Sequence, residues 1–272
     1  MDILLSSYLH DEKARTSIVE PNFQHRLALT QAWDIAQGSR VLDIGCGQGE
    51  SSLVLALING SHGQITAIDT APPDYGGPYT VEQSQKHIQA STLGQRIQFL
   101  RTDTAGLLSQ PTRTDKYDAA VLCHSLWYFP DRASIAQVFQ LLADAKVRYL
   151  CLAEYGFRAS RPAQPHIFWL RERKPSTIPY AKELLDVAHE TGWREKRSGY
   201  IQPDSQLWDG HWEVEFVSSE LFRQWIHEEG LSNDAAMDSA IQQLEQSIQE
   251  LGVKGSTRWE TMDVFWAVLE LK

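Results

Sequence analysis

Residues Val41 to Glu50 read VLDIGCGQGE, a short apolar run that breaks into three glycines at alternate positions, Gly45, Gly47 and Gly49. A buried strand that ends in glycines can turn sharply into a helix and let its bare backbone approach a ligand. The spacing narrows the choice of ligand. A dinucleotide site wants G-x-G-x-x-G; here the third glycine comes one position early, and Glu50 stands where it belongs. Asp43 argues the same way, because a carboxylate facing the loop repels a pyrophosphate and suits an ammonium or a sulfonium. The plain alternative is a strand-to-helix turn without a ligand, for which three glycines are more than is needed.

Outward from this loop, strand-like and helix-like segments alternate. Arg40 to Ile44 reads as a first strand and Glu50 to Asn59 as a helix closed by Gly60. Gln64 to Asp69 is a second strand, Val81 to Leu93 a polar helix ending at Gly94, and Arg96 to Leu100 a third strand. Tyr117 to Cys123 is a buried fourth strand. Arg132 to Ala145 is a helix with Ile135, Val138, Phe139 and Leu142 on one face, and Val147 to Ala153 is a fifth strand. Such alternation implies right-handed crossovers and a sheet covered on both sides. The predicted class is α/β: a seven-stranded, mostly parallel sheet with helices on both faces, plus N-terminal and inserted helical caps. Ligands of such sheets bind outside the carboxyl ends of the strands, so functional residues belong just after the strands.

Beyond Glu154 the pattern loosens. Pro165 to Arg173 and Pro179 to Thr191 read as helices, and an aromatic stretch from Tyr200 to Phe216 holds Trp208 and Trp212. Ser218 to Glu229 is another helix. Ser232 to Leu251 is a longer one, either a brief coiled-coil seam or, with too few heptads for that, a lid packed on the main body. Met262 to Leu271 closes the sheet. The expected division is an N-terminal helical cap (1–38), a core (39–202), an inserted cap (203–256) and the last strand of the core sheet (257–272).

Asp43 to Gly49, DIGCGQG, resembles the first motif of the class I, Rossmann-like S-adenosylmethionine-dependent methyltransferases of the small-molecule type, and the alternation over about residues 40 to 155 is similar to theirs. The resemblance implies that Asp43, Gly45, Cys46 and Gly47 hold the methionine portion of S-adenosyl-L-methionine. It implies that Asp69, with Thr70 beside it, takes the ribose hydroxyls, and that Asp103, with Thr104 after it, reads the adenine. A carboxylate suits the ribose because charged acceptors make strong hydrogen bonds. A turn or helix-cap aspartate is the alternative at both positions. The reactive methyl is expected near the segment after the fourth strand, Cys123-His124-Ser125-Leu126-Trp127-Tyr128. His124 is the candidate catalytic base and a cofactor neighbour, since an imidazole titrates near neutrality; simple packing beside the cofactor is the other reading. Glu154 to Phe157, after the fifth strand, is the other strand end left to face an acceptor.

Trp127 and Tyr128 are candidate acceptor-pocket walls or plain core, and Trp208 and Trp212 candidate roof residues. In the N-terminal cap, Tyr8 is assigned to the acceptor and His25 to the cofactor, His25 being read at the start of a helix that also carries Leu29, Trp33 and Ala36. The reaction expected is methyl transfer to a hydroxyl or amine of a small organic molecule. A protein or peptide methyltransferase, and a cofactor-binding scaffold without transfer activity, are the alternatives.

The bulk properties bound this reading. The 272 residues are 42% hydrophobic and 22% charged, with net charge -10. An acidic chain is a poor general partner for phosphate backbones, and no apolar run approaches the ~20 residues of a membrane helix. No nucleic acid or membrane partner is expected, only a small-molecule acceptor, in a monomer or homodimer. Cys46, Cys123 and Cys151 are odd in number and read as free thiols of a cytoplasmic protein. The histidines lack metal-ligand spacing, so no metal site is expected.

Overall fold

The computed structural model describes residues 1–109, 116–158, 160–161, 181–207, 219–228, 242, 246 and 260–272. Strands β1 (Arg40–Ile44), β2 (Gln64–Asp69), β3 (Ile97–Arg101), β4 (Ala119–Cys123), β5 (Tyr149–Arg158), β6 (Trp193–Ile201) and β7 (Asp263–Leu271) form one sheet, in the order β3-β2-β1-β4-β5-β7-β6. The first five pair in parallel; β7 lies antiparallel between β5 and β6. The order reverses between β1 and β4, which opens a crevice at their carboxyl ends.

The described helices are α1 (Asp2–Ser7), α2 (Glu20–Trp33), α3 (Glu50–Ile58), α4 (Val81–Ala90), α5 (Thr104–Leu108), α6 (Arg132–Asp144), α7 (Ala181–Glu190) and α8 (Glu220–Glu228). They cover both faces because the central strands are buried and mostly apolar, with side chains alternating between the faces. Val41, Val121, Cys123, Cys151 and Ala153 join the core under α1, α2 and α3. Leu42, Ile44, Ala120, Leu122, Leu150 and Leu152 join the opposite core under α6 and α7.

Helix α2 is fastened across the sheet at its last residue. Trp33 is 2% exposed, and its indole N–H donates to the Leu152 carbonyl of β5 at 3.1 Å. The chain then turns out through Asp34 in the left-handed region, φ 48°. Ala36, expected on this helix, therefore lies beyond it, and His25 sits within the helix rather than at its start. The polar helix α4 begins in a capping box between Thr80 and Gln83 and ends at Ala90, short of the expected Leu93. All three cysteines are buried free thiols.

Strand β6 has no counterpart in the sequence reading. It is an edge strand whose Arg194, Glu195 and Lys196 face solvent, so no apolar run marks it. The expected helices 165–173 and 232–251 (apart from Gln242 and Gln246), Trp169, Trp208, Trp212, Phe216 and most of the inserted cap lie outside the described residues. No helix among the described residues is long and apolar enough to cross a membrane.

Candidate active site

The glycine loop is shaped from both sides. The amides of Gly45 and Cys46 donate to the Ile68 carbonyl at 2.9 and 3.1 Å, which carries the chain over the end of β2. Gly45 has φ +73°, and a Cβ there would lie 2.5 Å from the Cβ of Ser125. Ser125 in turn donates its hydroxyl to the Ile44 carbonyl at 2.8 Å. Gly47, at φ +53°, differs: a Cβ would meet nothing within 4 Å, so bare backbone faces open space. Asp69 pins this backbone, accepting from the Gly47 amide at 2.7 Å and from the Ala71 amide at 2.8 Å.

The open space is a cavity of about 610 Å³, within the ~300–1,000 Å³ of small-molecule sites. Gly45, Gly47, Asp69, Thr70, Asp103 and Thr104, expected to hold cofactor, all line it. Asp103 does so while capping α5, its Oδ1 accepting from the Gly106 amide at 2.6 Å. The wall unforeseen in the sequence is the turn from Ala71 to Gly76, which contributes Pro72 and Tyr75. It is held by the Gln48 side chain, which donates to the Tyr79 carbonyl at 2.6 Å. Ser125, Phe129 and Val138 also line it. Carboxylates at two strand ends, an unhindered glycine backbone and an apolar flank fit a group that joins an amino acid, a sugar and a flat base.

Two motif residues depart from expectation. Asp43 is fully buried and does not line the cavity. The alternation along β1 turns it, with Val41, to the face under α3, where the Ser51 and Ser52 hydroxyls donate to its Oδ2 at 2.8 and 2.6 Å. Burial, only partly offset by those two hydroxyls, pushes its pKa up to about 6. Cys46 is 4% exposed, sits behind the loop, and has its thiol pushed well up by burial. Neither side chain lines the cavity.

Tyr128, read as an acceptor residue, is 76% exposed and lines this same cavity. Tyr8, also read so, does not line it. The Tyr8 hydroxyl donates to Glu50 Oε1 at 2.7 Å, with Gln48 Oε1 at 3.1 Å, and so braces two cavity residues from behind. Burial and the adjacent Glu50 push its pKa far above the ordinary phenol value.

His25 and His124, assigned to the cofactor, do not line the cavity either. They meet each other: His25 Nε2 and His124 Nε2 are 3.0 Å apart. His124 directly follows β4, with its N–H on the Ala153 carbonyl at 2.9 Å and a left-handed backbone, φ 54°. A non-glycine residue there costs about 1–3 kcal/mol and is found mostly where geometry serves function. Its Nδ1 lies 3.7 Å from Glu154 Oε1. Glu154, 1% exposed, is fixed by the backbone amides of Trp127 and Tyr155 at 3.1 and 2.9 Å. The Tyr155 ring stands 5.1 Å from that of His124, and Trp127 meets Tyr155 edge-on at 6.0 Å. Trp127 thus belongs to this second cluster. Burial first, and then the nearby His124 and Arg26, push the His25 pKa well down. No group of three metal-ligating side chains occurs among the described residues.

The sequence model of the methyltransferase domain matches residues 41–145. The methyltransferase phomM of Diaporthe leptostromiformis is 32% identical, over 99% of this chain and 89% of that protein. The chain belongs to the S-adenosylmethionine-dependent methyltransferases. A cyclopropane-fatty-acyl-phospholipid synthase-like protein from Lactobacillus casei ATCC 334 superposes with TM-score 0.82 at 28% identity, covering 99% of this chain and 98% of that one. An S-adenosylmethionine-dependent methyltransferase from Geobacter sulfurreducens, solved with S-adenosylhomocysteine, shares the fold at TM-score 0.50 and 20% identity, covering 94% and 92%. S-adenosylmethionine is therefore the cofactor of this methyltransferase, and the cavity at the β1–β4 crevice has the donor set to hold it.

Proposed function

We propose that this methyltransferase acts on a hydroxyl or amine of a small organic molecule, with His124 taking the proton that the acceptor must lose. The observation that carries the reading is the placement of His124. It precedes Ser125 of the cavity floor in the chain, and its imidazole lies between a second imidazole and a buried carboxylate. When bound, S-adenosylmethionine supplies an electrophilic methyl carbon on a sulfonium. The chain's own residues then have three tasks.

The strand-end carboxylates Asp69 and Asp103, with the Gly47 backbone, hold and orient the cofactor. Orientation of reacting groups is worth up to ~7–11 kcal/mol in ideal cases. His124 receives a proton, a contribution of about 10²–10⁴-fold in rate for a positioned base, and Glu154 supplies the opposite charge once it has done so. The N-terminal cap (1–38) and the inserted cap (203–256), with Trp208 and Trp212, would exclude water and select the acceptor. An acceptor that must reach a buried imidazole beside Trp127 and Tyr155 is best a small molecule rather than a folded protein.

Incubation with methyl-labelled S-adenosylmethionine and a metabolite extract tests this, against a heat-killed control. Label in small extractable molecules is the expected result. Label confined to the protein fraction would mean a protein acceptor, and no label above control would mean a scaffold without transfer activity.

A further inference from the structure

Two imidazoles that meet through like nitrogens must settle which of them carries the proton. A neutral imidazole holds one proton on one of its two nitrogens, and the bond made by one nitrogen decides the state of the other. His25 is 4% exposed and kept neutral by that burial. Two arrangements are open while His124 is also neutral. In the first, His124 donates through Nε2 to His25, and its Nδ1 then turns a lone pair on the Glu154 carboxylate 3.7 Å away. In the second, His25 donates through Nε2, and His124 carries its own proton on Nδ1, facing Glu154. The Nδ1 of His25 meets no partner in either arrangement, so it does not decide between them. Glu154 does. Its position is fixed by two backbone amides, and a carboxylate in a buried site attracts an N–H and repels a lone pair.

We propose that His25 is a positioning residue for methyl transfer: it donates Nε2–H to Nε2 of His124 and, together with Glu154 at the other nitrogen, holds His124 as the Nδ1–H tautomer, whose basic lone pair lies on Nε2. The inference rests on His124 being the proton acceptor. It adds that the N-terminal cap prepares that base. The acceptor's O–H or N–H takes the place of His25 at Nε2. As the methyl moves, a lone pair of the acceptor's oxygen or nitrogen forms the new bond to the methyl carbon, and the acceptor's bond to hydrogen breaks, its pair staying on that oxygen or nitrogen. The carbon–sulfur pair stays on sulfur. The proton binds Nε2, and the resulting imidazolium keeps Nδ1–H toward Glu154, one positive charge beside one negative. The other groups around the pair are the Arg26 guanidinium on α2, whose charge reaches His25, and the Tyr155 ring on β5.

The arrangement suits how α2 is built. Trp33 ties its far end to β5, the strand that carries Glu154. Phe23, 1% exposed, seats its near end against the Tyr8 ring, edge-on at 5.3 Å. His25 is thus held by the same helix that spans the two strands it serves.

Nitrogen-15 NMR of the histidine side chains in the full chain, without acceptor, reads the tautomer directly, with His124→Asn to assign the signal. The expected spectrum shows His124 protonated on Nδ1 and bare on Nε2. In His25→Phe nothing donates to Nε2 of His124, and Glu154 alone at 3.7 Å favours the Nδ1–H form, so the Nε2–H form should become populated beside it. Its kcat should fall by about tenfold or more, with the KM for S-adenosylmethionine unchanged. His25→Gln, whose amide N–H reaches the same nitrogen, should restore both the tautomer and most of the rate. A native spectrum with His124 protonated on Nε2 overturns the inference, as do Phe and Gln variants with the same tautomer and the same kcat. If the Phe variant does not fold, the native spectrum and the Gln variant decide the matter. A full kcat in His124→Asn would instead defeat the assignment of His124 as base, whatever the tautomer.

Discussion

The two ends of this active site are built by opposite means. The cofactor cavity is open to solvent and walled by glycine backbone and strand-end carboxylates, all from Ile44 to Val138. The His25–His124–Glu154 array is largely buried and made of side chains from α2, the turn after β4, and β5. A binding site can stand in water, because a charged acceptor pinned by backbone amides keeps its geometry there. An imidazole that must hold a particular proton needs a place from which water is absent. Binding and turnover should therefore fail separately when each end is damaged.

The largest effect should come from His124→Asn, asparagine being at ease in the left-handed conformation of that position. The kcat should drop by about 10²–10⁴-fold, while calorimetric titration finds S-adenosylmethionine affinity nearly unchanged. A parallel loss of affinity would mean that the two ends are one.

Asp69→Ala should do the reverse. Asp69 shapes the loop through Gly47 and Ala71 besides serving a ligand, so cofactor binding should weaken by about 2–4 kcal/mol. The kcat at saturating cofactor should stay close to native; a large loss of kcat at saturation would break the comparison.

Asp43 gives a prediction about stability alone. Its pKa of about 6 in the fold stands above the ordinary 3.8, so the fold favours its protonated form. The stabilisation from that protonation is complete below about pH 4 and lost as pH rises through about 6, roughly 3 kcal/mol across that window. Asp43→Asn keeps an oxygen for Ser51 and Ser52 and has no charge to bury. Urea unfolding at pH 4 and pH 7 should show the variant gaining on the native chain by about that amount at the higher pH. A constant difference would show that Asp43 does not titrate in this range.

The smallest effect is expected at the brace between the N-terminal cap and the cavity. Tyr8→Phe removes a donor to the Glu50 carboxylate and should cost about 1.5–3 kcal/mol of stability by thermal unfolding. An unchanged melting temperature would mean that the cavity wall stands without the cap.

The cofactor half was legible because its glycine loop and the acids Asp69 and Asp103 stand at or just after strand ends. Gln64 to Asp69 was read with the bounds it has in the structure. Strand β6 was not, since Arg194 to Arg197 carry no apolar pattern. Asp43 was misread for a reason the sequence does contain: it lies an even step from Val41, and so shares the face covered by α3. The meeting of His25 and His124 joins positions 99 residues apart, which a single sequence does not reveal. The sequence marks the N-terminal segment only as a helical cap. Leu4 and Leu5, 0% and 5% exposed, make it part of the core, so truncation there damages stability as well as access.

The cavity's lining falls in one unbroken span of chain, and that makes the donor half a cassette. Two crossovers, one ahead of Arg40 and one behind Asp144, would move it whole into another backbone. Among the seams to be sewn again would be the β4–β5 hydrogen bonds, the hydroxyl of Tyr8, and the bonds of His124 and Trp127 to His25 and Glu154. The proton-handling end has no such portability, because it is stitched from three separate stretches. Recombination can thus move the methyl donor's berth intact, while the proton-handling end follows only where the flanks carrying His25 and Glu154 come with it.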